Sequence, residues 1–251
     1  MEEIKLIQGD CLEVMKSLPS QSIDLTVTSP PYDNLRTYNG YSFDFEGIAK
    51  ELYRVTKDGG VIVWVVGDAT IKGSETGTSF KQALYFKEIG FNLHDTMIYQ
   101  KSTPPLTHNR YEQNFEYMFV FSKKKPKTFN GIRVERKYKD TRQNKAFRKN
   151  ADNSIDYGYS TQNPTVLKTN IWQIFAGGGN SDKLASKHPA PFPEQLAHDH
   201  IISWSNEGDT LLDCFLGSGT TGKVAKQLNR QFIGIEISPE YLEIASKRIY
   251  G

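Results

Sequence analysis

The tetrapeptide Ser29-Pro30-Pro31-Tyr32 places a small hydroxyl, a rigid backbone corner and an aromatic ring together at the end of an apolar run. Two consecutive prolines fix φ and cannot donate backbone hydrogen bonds, so they end the predicted strand that precedes them. The Ser29 hydroxyl and the Pro30 carbonyl can accept hydrogen bonds, and the Tyr32 ring can stack. Residues of these types in this order can hold one flat, polar ring at the end of a strand.

A glycine-rich turn almost two hundred residues downstream predicts a second ligand site. Gly217-x-Gly219-x-x-Gly222 joins a predicted strand to a predicted helix. Glycines in such a turn let the backbone approach a ligand closely, and the start of the helix presents N–H groups. Glu236 ends the next predicted strand, where a carboxylate can accept both hydroxyls of a ribose. A purely structural turn is the alternative interpretation of the glycines.

Asp10 follows the first predicted strand and completes this set of polar residues. Ligands of a doubly wound sheet gather at the carboxyl ends of its strands, where Asp10, Ser29, Phe215 and Glu236 are all expected. Two acids can hold an adenosine at its amino group and its ribose, although Asp10 can also be a simple helix N-cap. The 15 residues after Glu236 are enough for one helix and no further strand. Since no second mononucleotide half is evident either, a small adenosyl cofactor fits better than a dinucleotide.

The elements that must position these residues alternate along the chain. Short apolar runs predict seven strands, at Ile4–Ile7, Ile23–Thr28, Val61–Val66, Leu93–Tyr99, Tyr117–Phe121, Thr210–Cys214 and Phe232–Glu236. Helical patterns occupy Leu12–Leu18, Phe43–Thr56, Ser79–Ile89, Glu194–Ser205, Thr220–Leu228 and Pro239–Ile249. This alternation predicts an α/β fold with a doubly wound, mostly parallel sheet. The polar stretch from Lys123 to about Thr169 breaks the pattern and is interpreted as an insertion.

The composition of the 251-residue chain is that of a soluble globular protein, with 37% hydrophobic and 24% charged residues. No apolar run reaches the roughly 18 residues that a transmembrane helix needs. The two cysteines, Cys11 and Cys214, lie far apart and have no zinc-site spacing. These features favour a reducing compartment, the cytoplasm, and no metal.

Basic residues are concentrated in the middle of the chain. Residues 121–150 contain 12 Lys or Arg against two acids, a net charge of +10, whereas the remaining 19 basic and 27 acidic residues sum to −8. Such a block on an otherwise acidic protein indicates a polyanion partner, with a solvated loop as the alternative. Aromatic residues interleave with the block and favour nucleic acid, namely Phe129, Tyr138, Phe147, Tyr157 and Tyr159.

Taken in order, these segments resemble the S-adenosylmethionine-dependent DNA methyltransferases that modify the exocyclic amino group of cytosine (N4) or adenine (N6). The catalytic segment precedes the glycine loop, as in the circularly permuted β group of that family. The resembling segments are Gln8–Cys11, Thr28–Tyr32, Asn114–Phe121, Asn170–Trp172, Lys187–Glu194, Phe215–Thr221 and Ile235–Glu236. They cover nearly the whole chain except the basic middle.

The resemblance implies a seven-stranded, Rossmann-like sheet and three regions: a catalytic half at 1–122, a target-recognition insertion at 123–169 and a cofactor-binding half at 170–251. It implies S-adenosylmethionine as cofactor, double-stranded DNA with a specific short site as substrate, and a prokaryotic or phage-encoded enzyme. A homodimer and a cognate restriction endonuclease are compatible with it. The implied cofactor-binding residues are Asp10, Cys11, Thr28, His188, Asp213, Phe215, Gly217, Ser218, Gly219, Thr220, Thr221 and Glu236.

The implied catalytic residues are Ser29, Pro30, Pro31 and Tyr32, and the candidate DNA contacts in the insertion are Arg133, Arg136, Lys137 and Arg142. In this family Ser-Pro-Pro-Tyr occurs mostly with cytosine N4 and Asp-Pro-Pro-Tyr mostly with adenine N6. The sequence therefore favours cytosine N4, with adenine N6 as the alternative. Less favoured alternatives are an RNA or protein-glutamine methyltransferase, a nicotinamide oxidoreductase and a DNA-binding module without enzymatic activity.

Overall fold

The computed structural model describes residues 3–31, 43–102, 110–136, 145–159, 163–175 and 193–251. Two compact units divide the chain. The larger unit comprises Met1–Asn130 and Asn170–Gly251, and the smaller unit is Gly131–Thr169. The smaller unit thus begins eight residues after the predicted start of the insertion at Lys123. Within the described residues, no helix is both long enough and apolar enough to cross a membrane.

Six helices lie in the described part of the larger unit. They are α1 (Cys11–Ser17), α2 (Phe45–Val55), α3 (Thr78–Glu88), α4 (Glu194–Trp204), α5 (Thr220–Gln227) and α6 (Pro239–Tyr250). Three of them begin at side chains that accept a hydrogen bond from the first helical turn: Asp10 for α1, Asp44 for α2 and Ser238 for α6. Pro239 occupies the first turn of α6, where its missing N–H leaves no intrahelical bond unmade.

The central sheet of the larger unit contains eight strands among the described residues. They are β1 (Ile4–Gln8), β2 (Ile23–Thr28), β3 (Thr56–Val66), β6 (Asn92–Lys101), β7 (Phe115–Ser122), β12 (Ile171–Ile174), β13 (Thr210–Asp213) and β14 (Gln231–Glu236). Two more strands, β4 (Thr70–Ile71) and β5 (Ser74–Glu75), form a separate hairpin. The strands of the sheet alternate with the six helices along the chain, and most of them pair in parallel, which confirms the predicted α/β fold with a mostly parallel sheet.

The strand order in the sheet is β1-β14-β13-β2-β3-β7-β6-β12. All neighbours pair in parallel except β7, which is antiparallel to both β3 and β6. The last two strands of the chain, β13 and β14, lie between its first two strands. This insertion is the structural form of the predicted circular permutation, because it brings the C-terminal glycine loop beside the strand that leads into Ser29, Pro30 and Pro31.

The eighth strand, β12, adds to the seven that the sequence predicts. It pairs in parallel with β6 at the edge of the sheet. Only alternate residues are buried, Trp172 and Ile174, whereas Ile171 and Gln173 are exposed. Four residues with one buried face give a weak sequence signal, which explains why the apolar pattern did not predict this strand.

Helices cover both faces of the sheet. On one face, α1, α2 and α3 pack on a core that includes Met15, Trp64, Phe86 and Ile235 of β14. Phe232, three residues before Ile235 on the same strand, points to the opposite face, because successive side chains of a strand alternate. Gly222 of α5 packs directly against the Phe232 ring. Helix α5 therefore lies on the face opposite α1.

Four short strands form two antiparallel pairs in the described part of the smaller unit. Strand β8 (Arg133–Glu135) pairs with β11 (Thr165–Leu167), and β9 (Lys145–Lys149) pairs with β10 (Ile155–Tyr159). Their exposed residues include the apolar side chains of Val134, Leu167 and Ile155.

Lys123, the first lysine of the basic block, is buried rather than available to a polyanion. Its ammonium donates hydrogen bonds to the carbonyl oxygens of Tyr53 (2.8 Å) and Thr56 (3.0 Å) and lies 4.4 Å from the Tyr53 ring centre. These carbonyls belong to the C-terminal end of α2, where a cation is favourable. Burial lowers the pKa of Lys123. The Lys123 side chain therefore caps the C-terminal end of α2.

Lys123→Ala is expected to lower the free energy of unfolding by about 1–3 kcal/mol, because it leaves two carbonyls without their charged donor. Lys125→Ala is the matched control, since Lys125 is exposed in the same basic run and should change stability by less than about 0.5 kcal/mol. Urea denaturation followed by circular dichroism measures both. Equal effects of the two substitutions would show that Lys123 does not stabilise the end of α2.

Candidate active site

The carboxyl ends of β1, β14, β13 and β2 bring together the two halves of the candidate site. Gln8 of β1 pairs with Glu236 of β14, and the Gly9 N–H donates to the Glu236 carbonyl at 3.0 Å. Asp213 ends β13, the neighbour of β2, and Ser29 follows the last residue of β2. Asp10, Glu236 and Ser29 therefore lie at the carboxyl ends of strands in the same part of the sheet, as predicted.

The Glu236 carboxylate is held by the backbone around it. Its Oε2 accepts from the Gly217 N–H at 2.8 Å and its Oε1 from the Ser238 N–H at 2.9 Å. Burial raises the pKa of Glu236, and these backbone hydrogen bonds oppose the rise. A carboxylate has about four acceptor positions, so one fixed by amides can still accept from a ligand hydroxyl.

The glycine loop runs from the end of β13 to the start of α5. Gly217 and Gly219 have φ of 52° and 81°, in the left-handed region that favours glycine. A Cβ on Gly219 would lie 2.7 Å from the Cβ of Ala245, and one on Gly222 would lie 2.6 Å from Ile249 and Phe232. The last two glycines of the motif are thus explained by close packing of α5 against α6 and β14. Backbone contact with a ligand is therefore expected at the first part of the loop, around Gly217.

Arg248 of α6 also holds the glycine loop in place. No pattern in the sequence identified this residue. Its Nη1 donates to the carbonyl and the hydroxyl of Ser218 (2.6 and 3.0 Å) and to the Thr220 hydroxyl (3.0 Å). Its Nη2 lies 3.3 Å from Oε1 of Glu194, and its side chain is 1% exposed. Glu194 also pairs with Lys223 at 2.7 Å. The guanidinium fork therefore fixes the loop between α4, α5 and α6.

A buried hydrogen bond connects the glycine loop to β2, the strand that precedes Ser29. The Thr28 hydroxyl donates to Oδ1 of Asp213 at 2.7 Å, and the same oxygen accepts from the Phe215 N–H at 3.1 Å. Burial raises the pKa of Asp213 to about 6, while hydrogen bonds from Thr28, Thr221 and Phe215 act in the opposite direction. One carboxyl group thus sets the positions of the end of β2 and the start of the glycine loop.

Asp10 and Cys11 lie at the other end of this edge. Oδ1 of the exposed Asp10 accepts from the Glu13 N–H at 3.1 Å, so Asp10 is the N-cap of α1. Burial raises the pKa of the Cys11 thiol to about 12 and that of Cys214 well above its usual range. Both thiols are therefore protonated and unreactive at neutral pH. The part of the chain that the structure describes contains no group of three or more His, Cys, Asp or Glu that could hold a metal ion.

The structure describes the predicted catalytic segment as far as Pro31. Ser29 and Pro31 are half-buried and Pro30 is buried. On the neighbouring loop, the Phe215 ring makes edge contacts with Phe43 (5.7 Å between centroids) and Trp64 (6.2 Å). Four predicted site residues lie outside the described residues, namely Tyr32, Lys137, Arg142 and His188.

Comparison with known proteins identifies the family. The sequence model of the family described as DNA methylase, the N6 and N4 methyltransferases, matches residues 23–247. The chain is also 58% identical over 249 residues to the orphan methyltransferase M.BamHII of Bacillus amyloliquefaciens, covering 96% of this chain and 90% of that protein. The chain belongs to the N6/N4 DNA methylase family.

Two solved structures share the fold of this DNA methylase. The cytosine-N4-specific PvuII DNA methyltransferase has a TM-score of 0.73 at 22% identity, covering all of this chain and 88% of that one. A DNA modification methylase of Thermus thermophilus, complexed with S-adenosyl-L-methionine, has a TM-score of 0.66 at 23% identity, covering 98% of this chain and 95% of that one. At these identities the likeness concerns the fold alone.

The cofactor of this DNA methylase is S-adenosylmethionine, and the residues of the candidate site fit it. The amide-held carboxylate of Glu236 suits hydroxyl groups, and the turn at Gly217 has no side chain. Asp10 keeps acceptor capacity beyond its cap hydrogen bond, because a carboxylate accepts at several positions. The predictions of the family and of the cofactor are both confirmed, whereas the role of each residue stays a prediction.

Arg248→Met is expected to weaken S-adenosylmethionine binding about tenfold, because a site depends on the shell that holds its binding loop in place. Arg248→Lys should recover part of the affinity, since a lysine keeps the charge but lacks the planar fork. Lys247→Met is the control, because the adjacent Lys247 pairs with Glu243 on the surface of α6. Isothermal titration calorimetry measures the Kd, and a Kd of Arg248→Met equal to that of the wild type would contradict this positioning role.

Asp213→Asn is expected to change how stability depends on pH. Because the folded pKa of about 6 exceeds the unfolded value of 3.8, burying the ionised carboxylate costs stability above pH 6, and this cost disappears as the pH falls towards 4. The free energy of unfolding of the wild type, relative to that of Asp213→Asn, should therefore rise by about 2–3 kcal/mol between pH 7 and pH 4. Urea denaturation across this range measures the difference, and a difference that stays flat would contradict the raised pKa.

Proposed function

We propose that this DNA methylase transfers the methyl group of S-adenosylmethionine to the exocyclic N4 of a cytosine that has been flipped out of double-stranded DNA. The observation that carries the proposal is the position of Ser29 and Pro30. They follow β2 directly, and Thr28 connects that strand through Asp213 to the glycine loop. A base held at Ser29 would therefore lie beside the loop proposed to hold the methyl donor.

The cofactor supplies a methyl group that its sulfonium already activates, so the task of the protein is to bind and orient. We assign the ribose hydroxyls to Glu236, the adenine to the segment with Asp10 and Cys11, and the methionine side to the loop from Phe215 to Thr221. Asp213 and Thr28 act by positioning that loop. His188 belongs to the segment that we expect to close the pocket.

The acceptor amine is a poor nucleophile because its lone pair is delocalised into the base. The Ser29 hydroxyl and the Pro30 carbonyl can accept hydrogen bonds from its two N–H groups, which favours a more tetrahedral and electron-rich nitrogen. Pro31 fixes the corner, and Tyr32 stacks on the base. Correct alignment then lowers the barrier by several kcal/mol. Ser29 is a poor general base, so we assign the removal of the final proton to no group of the protein, and water can accept it.

Flipping a base out of a duplex costs a few kcal/mol, which contacts to the DNA backbone can offset. We assign this role, together with target recognition, to the smaller unit. Arg133 donates to the hydroxyl and carbonyl of Thr165, and Arg136 donates to the Asn163 carbonyl. These bonds leave the positive charge of both exposed arginines available to phosphates. Lys137 and Arg142 continue the same basic run in the sequence.

The cytoplasmic location, a homodimer and a cognate restriction endonuclease all stay predictions.

Mass spectrometry of nucleosides tests the choice of base. DNA from cells that lack other methyltransferases and express this chain should contain N4-methylcytosine. Long-read sequencing of the same DNA locates the modified site. N6-methyladenine without N4-methylcytosine would establish the alternative base, and absence of both modifications would overturn the proposed function.

Ser29→Ala is expected to lower the rate of methyl transfer about 100-fold, because it removes an acceptor that is aligned with the reacting amine. The Kd of S-adenosylmethionine should stay within about twofold of the wild-type value, since Ser29 is assigned to the base. Ser17→Ala is the control, because Ser17 is exposed at the end of α1 and bonds locally, to the Val14 carbonyl. Single-turnover methylation and calorimetry measure the two effects. Loss of cofactor affinity with an unchanged transfer rate would contradict the role of Ser29.

A further inference from the structure

The hairpin β4–β5 projects from the strand beside the catalytic strand. Thr28, the last residue of β2, pairs with Trp64, two residues before the end of β3. The chain then leaves the sheet and forms the hairpin, in which residues 70–75 are all exposed. Because β2 and β3 are parallel, the hairpin begins at the carboxyl ends of the strands, as Ser29 and Pro30 do.

The tip of this hairpin carries an apolar side chain followed by a cation. Ile71 is 57% exposed and precedes Lys72. Lys72 and Gly73 have φ of 50° and 81°, so they form a two-residue turn of the kind that connects tight hairpins. A lone exposed isoleucine is ordinary on a protein surface. This one suggests a role because it lies at the exposed tip of a hairpin that leaves the sheet at the carboxyl ends of the strands, where the proposed base site also lies.

Several polar contacts hold the hairpin in place. The guanidinium of Arg110 donates to the Thr70 hydroxyl (3.0 Å) and to the Gly73 carbonyl (2.8 Å), and it lies 3.7 Å from Glu75. At the base of the hairpin, the Thr76 N–H donates to the Ala69 carbonyl at 2.9 Å. The tip is therefore presented on a braced element rather than on an unsupported loop.

The hairpin is also connected to the body of the larger unit. Asp68, which precedes it, accepts from the N–H and the hydroxyl of Ser79 at 2.9 and 2.5 Å. Ser79 lies in the first turn of α3, so the carboxylate satisfies one of the free N–H groups at the start of that helix. These bonds fix the point at which the chain enters the hairpin.

We propose that this hairpin is a DNA wedge: Ile71 enters the base stack where the target base has been removed, and Lys72 contacts an adjacent phosphate. Apolar side chains inserted between base steps are a recurring way for proteins to occupy unstacked DNA. A side chain in the vacated space stabilises the flipped state, and a braced hairpin loses little conformational freedom on binding. The inference rests on the proposed function, because it needs a base that is flipped out of a duplex.

Single-turnover methylation of two duplexes tests the wedge. Both contain the site located by sequencing, and they differ only in whether the target base is correctly paired or mispaired. Ile71→Ala should lower the rate on the paired duplex about tenfold and on the mispaired duplex by less than about threefold, because a mispaired base is less costly to flip. Leu84→Ala is the control, since Leu84 is an apolar residue of α3 that is 65% exposed, and it should change neither rate.

Lys72→Glu gives a second and independent readout. It should weaken binding of the paired duplex about tenfold at low salt, and the weakening should shrink as salt is raised, because phosphate contacts are screened. The Kd of S-adenosylmethionine should stay unchanged in both hairpin variants.

Two results would overturn the wedge: wild-type rates for Ile71→Ala on both duplexes, or equal losses on both. Each can occur while the wild-type enzyme still methylates DNA, in which case the proposed function stands. Failure of the wild-type enzyme to methylate any DNA would instead remove the proposed function together with the wedge.

Discussion

The hydrogen bond from Thr28 to Asp213 is the constraint on which the candidate site depends. It joins residues 185 positions apart in the chain at a distance of 2.7 Å, and both side chains are buried. Asp213 also accepts from the Phe215 N–H at the start of the glycine loop. Methyl transfer needs donor and acceptor in line and in contact. One buried carboxyl group therefore couples the strand proposed to present the base to the loop proposed to hold the cofactor.

Close helix packing and hydrogen bonds hold the groups around that bond in fixed positions within the larger unit. Gly219 and Gly222 allow α5 to pack directly on its neighbours, and Arg248 fixes Ser218 and Thr220 from the opposite side. The carboxylate of Glu236 is held by two backbone N–H groups. Polar groups fixed before the ligand binds need little reorganisation during the reaction, which is the main way in which a protein can promote the transfer of a methyl group that is already activated.

The sequence predicted the framework because its strands are short, apolar and separated by helical patterns. It could not predict contacts that arise only in three dimensions. Arg248 and Glu194 lie 54 positions apart, and no spacing rule connects them. Lys123 belongs to a basic run in the sequence, yet it closes the end of α2 because that helix and β7 meet there. Asp10 was interpreted both as a ligand residue and as a helix N-cap, and its hydrogen bond from the Glu13 N–H confirms the cap.

A double-mutant cycle on Thr28 and Asp213 tests the central claim most directly. Single-turnover methyl transfer is measured for the wild type, Thr28→Val, Asp213→Ala and the double variant at saturating cofactor. If the buried bond couples the two halves of the site, the activation free energies should be non-additive by about 1–2 kcal/mol, because either substitution alone already removes the coupling. Additive effects of the two substitutions would contradict the account.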